Sequence, residues 1–210
     1  MELISYLLLL STLLILMIRE IRSAIHLLAI QSIFIAALVF EMGFEQNQSH
    51  LYWIALFTLI VKALVIPLIL HRTMVKINIR RKVERWFGDS ISFLIGIALL
   101  LIGAFVARRM NFYLDAKGYH LAEMAMDILL MGGYLMIIHK KAIMQGIGFI
   151  VMENGIFLGA LTVTNGMPFI IELGVFFDLL VSGIIIGIFS FRIHDTFASL
   201  NTEKLQKLKG

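Results

Sequence analysis

The chain has 210 residues, of which 60% are hydrophobic and 15% are charged, and its mean hydropathy is +0.94. This composition excludes a soluble globular domain and predicts an integral membrane protein. Its formal net charge of +4 comes from 18 Lys and Arg against 14 Asp and Glu. Cysteine is absent, so the chain has no thiolate ligands for iron–sulfur, nickel or structural zinc sites and no disulfides.

Seven apolar runs are long enough to cross a bilayer as helices, a length of about 20 residues. The predicted spans are, in chain order, 3–18, 23–43, 51–71, 91–107, 121–138, 143–164 and 171–191. The sequence therefore predicts an all-α integral membrane protein with a single membrane domain over 1–210. The start, Met-Glu-Leu-Ile, lacks the basic segment of a cleavable signal peptide, so we expect the first span to be retained.

The connectors carry their positive charges mainly on one side of the predicted bundle. Fourteen Lys and Arg lie after spans 1, 3 and 5 and in the C-terminal tail: Arg19, Arg22, Arg72, Lys76, Arg80, Arg81, Lys82, Arg85, Lys140, Lys141, Arg192, Lys204, Lys207 and Lys209. The opposite connectors hold only three, Arg108, Arg109 and Lys117. The positive-inside rule predicts an N-terminus outside and a C-terminus in the cytoplasm. We expect the basic stretch 72–85 to face anionic lipid, and we expect no nucleic-acid partner.

Three ionisable residues lie near the middle of predicted spans: Lys62 in the third, Glu153 in the sixth and Asp178 in the seventh. A charged side chain at the bilayer centre costs roughly 2.5–3.5 kcal/mol on insertion scales. A chain keeps such residues when they pair inside a bundle, conduct ions, or both. Their similar depth predicts a lateral row that passes protons along the membrane plane. A purely structural salt bridge is the alternative.

Four further residues are secondary candidates for this proton path. Glu123 and Asp127 have i, i+4 spacing on one face of span 5, nearer the outer side, and form a candidate proton exit. His71 and His139 lie at cytoplasmic ends of spans and are candidates for feeding protons from that side. The alternative is an ordinary interfacial or helix-end role for these residues. We expect no cofactor or metal ion in this chain.

Two backbone features accompany the midplane charges. Pro67 follows Lys62 by five residues and removes a backbone hydrogen bond, so span 3 is predicted to kink or loosen beside the lysine. Gly155 and Gly159 follow Glu153 with GxxxG spacing, which predicts close helix packing.

Spans 1–3 and 5–7 share a layout. In each set an inward span ends in a short basic turn, a second span returns outward, and a third runs inward with a midplane charge. This layout predicts a parallel duplication with repeat units 1–72 and 120–195, joined by helix 91–107.

Four parts of the chain carry a distinctive set of residues. They are Leu51-Tyr52-Trp53 leading to Lys62 and Pro67, the run Val151-Met152-Glu153-Asn154-Gly155, Asp178, and the tail 199–210. Together they resemble component E of hydrogenase-4, a membrane-arm subunit of group 4 NiFe hydrogenase complexes. The likeness extends over most of the chain, and its specific residues are concentrated in spans 3, 6 and 7 and the tail.

The last three spans are also similar to the small three-helix NuoK subunit of respiratory complex I, known in antiporters as MrpC. That subunit carries intramembrane glutamates in its second and third helices, on a lateral proton path. Asp178 aligns with the third-helix acid. The second-helix acid would fall at Ile150, so Glu153 lies one turn further along, and the first repeat has Gln31 at the same place.

The resemblance implies a non-catalytic subunit of a redox-driven ion pump in a prokaryotic inner membrane. It implies antiporter-like membrane subunits, a NuoH-like subunit and a peripheral hydrogenase arm as partners, with the NiFe site and the iron–sulfur clusters in those partners. Whether the coupling ion is a proton or sodium stays open. Two other functions also stay open: a stand-alone secondary transporter or channel, and a purely structural assembly subunit.

The charge asymmetry of the connectors makes the topology testable. Reporter fusions placed after Lys82 and after Gly210 should both report the cytoplasm, because both sites follow an odd number of spans from an outside N-terminus. Opposite compartments for the two fusions would show that the number of spans between them is odd and the predicted count wrong.

Overall fold

The computed structural model describes residues 2–76, 83–110, 116–164 and 174 of this protein, and its described elements are helices. In chain order they are α1 (Glu2–Met17), α2 (Ile21–Gln46), α3 (Ser49–Thr58), a π-helical segment (Leu59–Val65), α4 (Ile66–Lys76), α5 (Asp89–Arg109), α6 (Ala116–Ile138) and α7 (Ala142–Thr164). No strand occurs in these ranges, and one isolated β-bridge joins Arg85 to His139.

Five helical rods in the described part of the chain are long and apolar enough to cross a membrane. They are Ile21–Gln46, Ser49–Val75, Asp89–Arg109, Ala116–Ile138 and Ala142–Thr164, and a shorter apolar helix runs over Leu3–Met17. The first six predicted spans therefore correspond to helices, and the chain is a helical membrane protein. The seventh predicted span, 171–191, and the tail lie outside the described residues. The total of seven spans and the orientation stay predictions.

The rod Ser49–Val75 changes its winding where the sequence predicts a disturbance. Residues 59–65 form a π-helix, and the Ile66 N–H donates to the Val61 carbonyl, five residues back. Because Pro67 has no N–H to donate to the preceding turn, the regular α-helical ladder cannot continue through this point. The expected loosening beside Lys62 is confirmed. The wider turn contains Lys62 and Ala63, both buried.

The core of the bundle is a tight antiparallel pair, α6 and α7, with α2 packed on α7 and α1 packed on both α2 and α6. Glycines let the two backbones of this pair approach closely: a Cβ at Gly132 would overlap the backbone of Met152, and one at Gly155 would overlap the backbone of Leu129. Close packing at Gly155 is thus confirmed. A Cβ at Gly159 would make an ordinary contact with Ala125.

Helix α5, the predicted joining helix, lies at one side of the bundle against α6 and α1. Its buried residues are all small: Ser92, Gly96, Gly103 and Ala107. A narrow stripe of small residues lets the helix pack closely along one edge, while its large apolar side chains face outward.

A connector of residues 83–88 ties two turns together at the end of the bundle predicted to be cytoplasmic. The Val83 N–H donates to the Arg19 carbonyl over 2.9 Å, in the turn between α1 and α2. The Trp86 N–H donates to the Ile138 carbonyl over 2.9 Å, in the turn between α6 and α7. These are the two basic turns that the proposed duplication would relate to each other. The duplication itself stays a prediction.

The glycine packing of α6 on α7 gives a matched pair of substitutions. Gly132→Ala should lower the midpoint of thermal unfolding of the detergent-solubilised chain, because its Cβ would displace the α7 backbone. Overpacking of this kind costs about 1–3 kcal/mol. Gly133→Ala, at a position where a Cβ meets nothing within 4 Å, should leave the midpoint unchanged or raise it. Equal midpoints for the two variants would contradict the close approach.

Candidate functional site

The site is centred on Lys62, which is 0% exposed and lies in the π-helical segment of the rod Ser49–Val75. A lysine ammonium in such a place needs acceptors from neighbouring helices, because no water is available in the hydrocarbon layer. The π-helical turn shifts the register of the helix at this point and directs the side chain towards α7. π-Helical turns inside α-helices are frequent at functional sites.

Helix α7 supplies the acceptors from one short stretch. The Lys62 ammonium donates to Asn154 Oδ1 over 3.1 Å and lies 3.8 Å from Glu153 Oε1. It also lies 5.3 Å from the centre of the Phe157 ring, within the range of a cation–π interaction. The residues Glu153 and Asn154 are 7% and 0% exposed. The structure therefore brings together two of the three predicted midplane charges as a buried ion pair.

Asp178, the third predicted midplane charge, lies outside the described residues. Its place in a row with Lys62 and Glu153 stays a prediction.

A chain of hydrogen bonds continues from the ion pair into α2 and α1. Asn154 Nδ2 donates to Gln31 Oε1 over 3.1 Å, and Gln31 Nε2 donates to Thr12 Oγ1 over 2.6 Å. Thr12 Oγ1 in turn donates to the Leu8 carbonyl over 3.0 Å. Asn154, Gln31 and Thr12 are all fully buried. Sequence reasoning noted Gln31 only as a position in the repeat and assigned no role to Asn154 or Thr12. An amide side chain within an apolar span, such as Gln31 in span 23–43, was the sequence feature that could have indicated a buried hydrogen-bond network.

Of the two secondary acids, Asp127 lies at a different interface of the bundle, between α6 and α5. Asp127 is 5% exposed, and its Oδ1 lies so close to Gly103 of α5 that a Cβ there would overlap it. Glu123, one turn away on α6, is half-buried. Burial of Asp127 against a glycine of the neighbouring helix fits an interior rather than a lipid-facing position. The role of Glu123 and Asp127 as a proton exit stays a prediction.

Of the two candidate histidines, His139 directly follows the end of α6, whereas His71 lies within α4. His139 is 0% exposed, and its Nδ1 lies 2.7 Å from the Leu135 carbonyl, which fixes the hydrogen on Nδ1. Burial lowers the pKa of His139 to about 4, so the imidazole is neutral at pH 7. His71 is half-buried on α4. Proton entry through these residues stays a prediction.

Charged residues also organise the end of the bundle around the connector. Asp89, at the start of α5, pairs with Arg19 over 2.5 Å and with Arg85 over 2.8 Å. Lys141 pairs with Glu84 over 3.2 Å. These pairs hold the turns and the connector in register. No group of three or more His, Cys, Asp or Glu that could hold a metal ion occurs within the described ranges.

The arrangement can do two things chemically. A buried carboxylate beside an ammonium can hold a pair of charges in a low-dielectric interior, and it can exchange a proton if a neighbouring donor reaches it. The amide chain cannot carry charge by itself, because Asn and Gln do not titrate near neutral pH. The site is therefore an intramembrane charge pair with an attached polar network.

Comparison with known proteins adds distant relatives. No model of a known protein family matches the chain, and no solved structure matches it. The chain is 28% identical over 192 residues to an uncharacterized protein of Mycobacterium tuberculosis, a match that covers 91% of this chain and 87% of the relative. It is 25% identical over 153 residues to hydrogenase-4 component E of Escherichia coli K12, covering 72% of this chain and 70% of the relative. The same component of Shigella flexneri gives the same figures.

The similarity to hydrogenase-4 component E agrees with the resemblance drawn from the residues and suggests that family. The resemblance of the last three spans to the NuoK-type subunit stays a prediction.

The ion pair makes a double-substitution test possible. Lys62→Met removes the cation beside Glu153 and should destabilise the detergent-solubilised chain by about 3–5 kcal/mol, the usual cost of breaking a buried pair. Adding Glu153→Gln to Lys62→Met should recover much of the loss, because the uncompensated charge is then gone. Thermal unfolding midpoints of the two single variants and the double variant measure the coupling. Additive effects would show that the two side chains do not interact.

Proposed function

We propose that this chain is a non-catalytic membrane subunit of a hydrogenase- or complex I-like redox-driven ion pump, and that Lys62, Glu153 and Asp178 contribute to a lateral ion path. The observation that carries the proposal is the buried pair of Lys62 and Glu153 at 3.8 Å, between the π-helical segment of the rod Ser49–Val75 and α7. The distant similarity to hydrogenase-4 component E supports the choice of complex.

Burying the charges of Lys62 and Glu153 costs free energy. Two charges buried in a bundle cost several kcal/mol each in desolvation, and a well-packed apolar pair of similar volume is often at least as stable. A membrane bundle therefore gains little stability from keeping Lys62 and Glu153. Intramembrane charges that pair inside a bundle commonly mark ion pathways. A carboxylate held next to a fixed cation is a group that can receive and release a proton as its surroundings change.

The path in this proposal runs laterally, from Glu153 on α7 towards Asp178 in the predicted seventh span. Lys62 provides the compensating charge, while Glu123 and Asp127 connect the path to the outer side and His71 and His139 to the cytoplasmic side. The chain itself binds no redox cofactor. Electron transfer takes place in partners, through a NiFe site and iron–sulfur clusters.

The proposed partners follow from the same resemblance. They are antiporter-like membrane subunits, a NuoH-like subunit and a peripheral hydrogenase arm on the cytoplasmic side of a prokaryotic inner membrane. In this proposal the arm docks at the end with the connector 83–88, where Arg19, Arg85 and Asp89 meet. Proton and sodium are both compatible with a carboxylate site.

The first part of the test is purification of the tagged chain from its native membrane in mild detergent. Copurification of hydrogenase-like and antiporter-like subunits is the expected result, because a subunit of a membrane arm is held by large lateral interfaces. Recovery of a lone protein that transports ions in liposomes would instead show a stand-alone transporter or channel.

The second part measures ion translocation coupled to redox turnover in membrane vesicles. Glu153→Gln and Asp178→Asn should leave the complex assembled and reduce ion translocation per turnover at least tenfold, because neither amide can take up a proton. Glu45→Gln is the matched control, since Glu45 is an exposed residue paired with Lys117 over 3.3 Å at the other end of the bundle. Unchanged translocation in both site variants would show that the charges are only structural.

A further inference from the structure

The hydrogen bonds of the chain from Lys62 to Leu8 share one donor-to-acceptor direction. Lys62 donates to Asn154, Asn154 donates to Gln31, Gln31 donates to Thr12, and Thr12 donates to the Leu8 carbonyl. Each link is 2.6–3.1 Å long, and the chain crosses four elements, from the π-helical segment through α7 and α2 to α1.

Both ends of this chain require that direction. An ammonium has three donors and no acceptor, so Asn154 must turn its carbonyl oxygen to Lys62 and its NH2 group away. A backbone carbonyl only accepts, so the hydroxyl of Thr12 must donate to Leu8 and receive its own bond from Gln31. The two constraints agree, and every amide and hydroxyl between them has one consistent orientation.

The common direction has an electrostatic consequence. The oxygen ends of Asn154, Gln31 and Thr12 all face the side of the cation, so their dipoles add at Lys62. Hydrogen bonds in such a chain polarise and strengthen one another in a low-dielectric interior. Removing the Thr12 hydroxyl in α1 therefore weakens the stabilisation of the Lys62 ammonium, although the amides of Asn154 and Gln31 lie between the two residues.

We propose that Asn154, Gln31 and Thr12 are positioning residues, which form one polarised hydrogen-bond chain that fixes the Lys62 ammonium beside Glu153 and anchors it to α1 and α2. Lys62 then acts as a stationary counter-charge, and Glu153 is the member of the pair that exchanges the ion. The effect on ion movement rests on the proposed function, whereas the coupling of Thr12 to Lys62 does not.

Thr12 offers the sharpest substitution, because it lies at the far end and its neighbour provides a control. Thr12→Val removes the hydroxyl at nearly constant shape, and Thr12→Ser keeps it. Ser11→Ala is the matched control, since Ser11 Oγ donates to the same Leu8 carbonyl over 2.6 Å and is not part of the chain to Lys62.

The first measurement is ion translocation per turnover in vesicles that contain equal amounts of assembled complex. Thr12→Val should lower translocation roughly threefold to tenfold, the effect expected from one hydrogen bond. Thr12→Ser and Ser11→Ala should match the unsubstituted chain. Translocation unchanged by Thr12→Val, in a complex that Glu153→Gln impairs, would overturn the proposal.

The second measurement is a double-mutant cycle on the unfolding midpoint of the full chain in detergent, which requires no partner subunits. Thr12→Val and Lys62→Met should be non-additive, because each interrupts the same chain, while Ser11→Ala and Lys62→Met should be additive. An additive result for Thr12 with Lys62 would overturn the proposal. If the unsubstituted complex moves no ions, the proposed function fails and this cycle alone decides the inference.

Discussion

The arrangement of the bundle centre depends on a single requirement, that the fully buried ammonium of Lys62 has acceptors around it. In water such a group would need no particular neighbours, but in the hydrocarbon layer every donor must be satisfied by protein. From the π-helical turn, Lys62 donates to Asn154 and lies beside Glu153 on α7, and Asn154 in turn donates to the amide of Gln31 on α2. The π-helical segment, α7 and α2 are thereby joined at one point.

The close packing of α6 on α7 also positions the residues that contact Lys62. Small residues such as Gly132 and Gly155 let the backbones approach, so that α7 is held firmly while its opposite side presents Glu153 and Asn154 to Lys62. In a bilayer, packing and hydrogen bonds hold helices together, because the surrounding lipid is as apolar as the side chains. The glycine interface is apolar and tight, and the interface towards Lys62 is polar and directional.

The end of the bundle that contains the connector 83–88 is held together by different interactions. The connector 83–88 pairs its backbone with the turns after α1 and α6, and Asp89 joins two arginines. The Arg19 side chain is largely exposed, and water reduces the contribution of such a pair to roughly 0–1 kcal/mol. The Arg85 side chain is only 6% exposed, so its pair with Asp89 and the backbone hydrogen bonds of the connector together define this end of the molecule.

The sequence by itself determined the class of protein and the position of six helices, because the length and hydropathy of a span are set by the bilayer. It also identified Lys62 and Glu153 as buried charges and Pro67 as the cause of a disturbed helix, since both conclusions follow from the cost of a charge in lipid and a missing N–H. The tertiary structure decided which groups meet. That Asn154, Gln31 and Thr12 form one chain depends on the rotation and depth of α7, α2 and α1 relative to Lys62, and hydropathy carries no information about either.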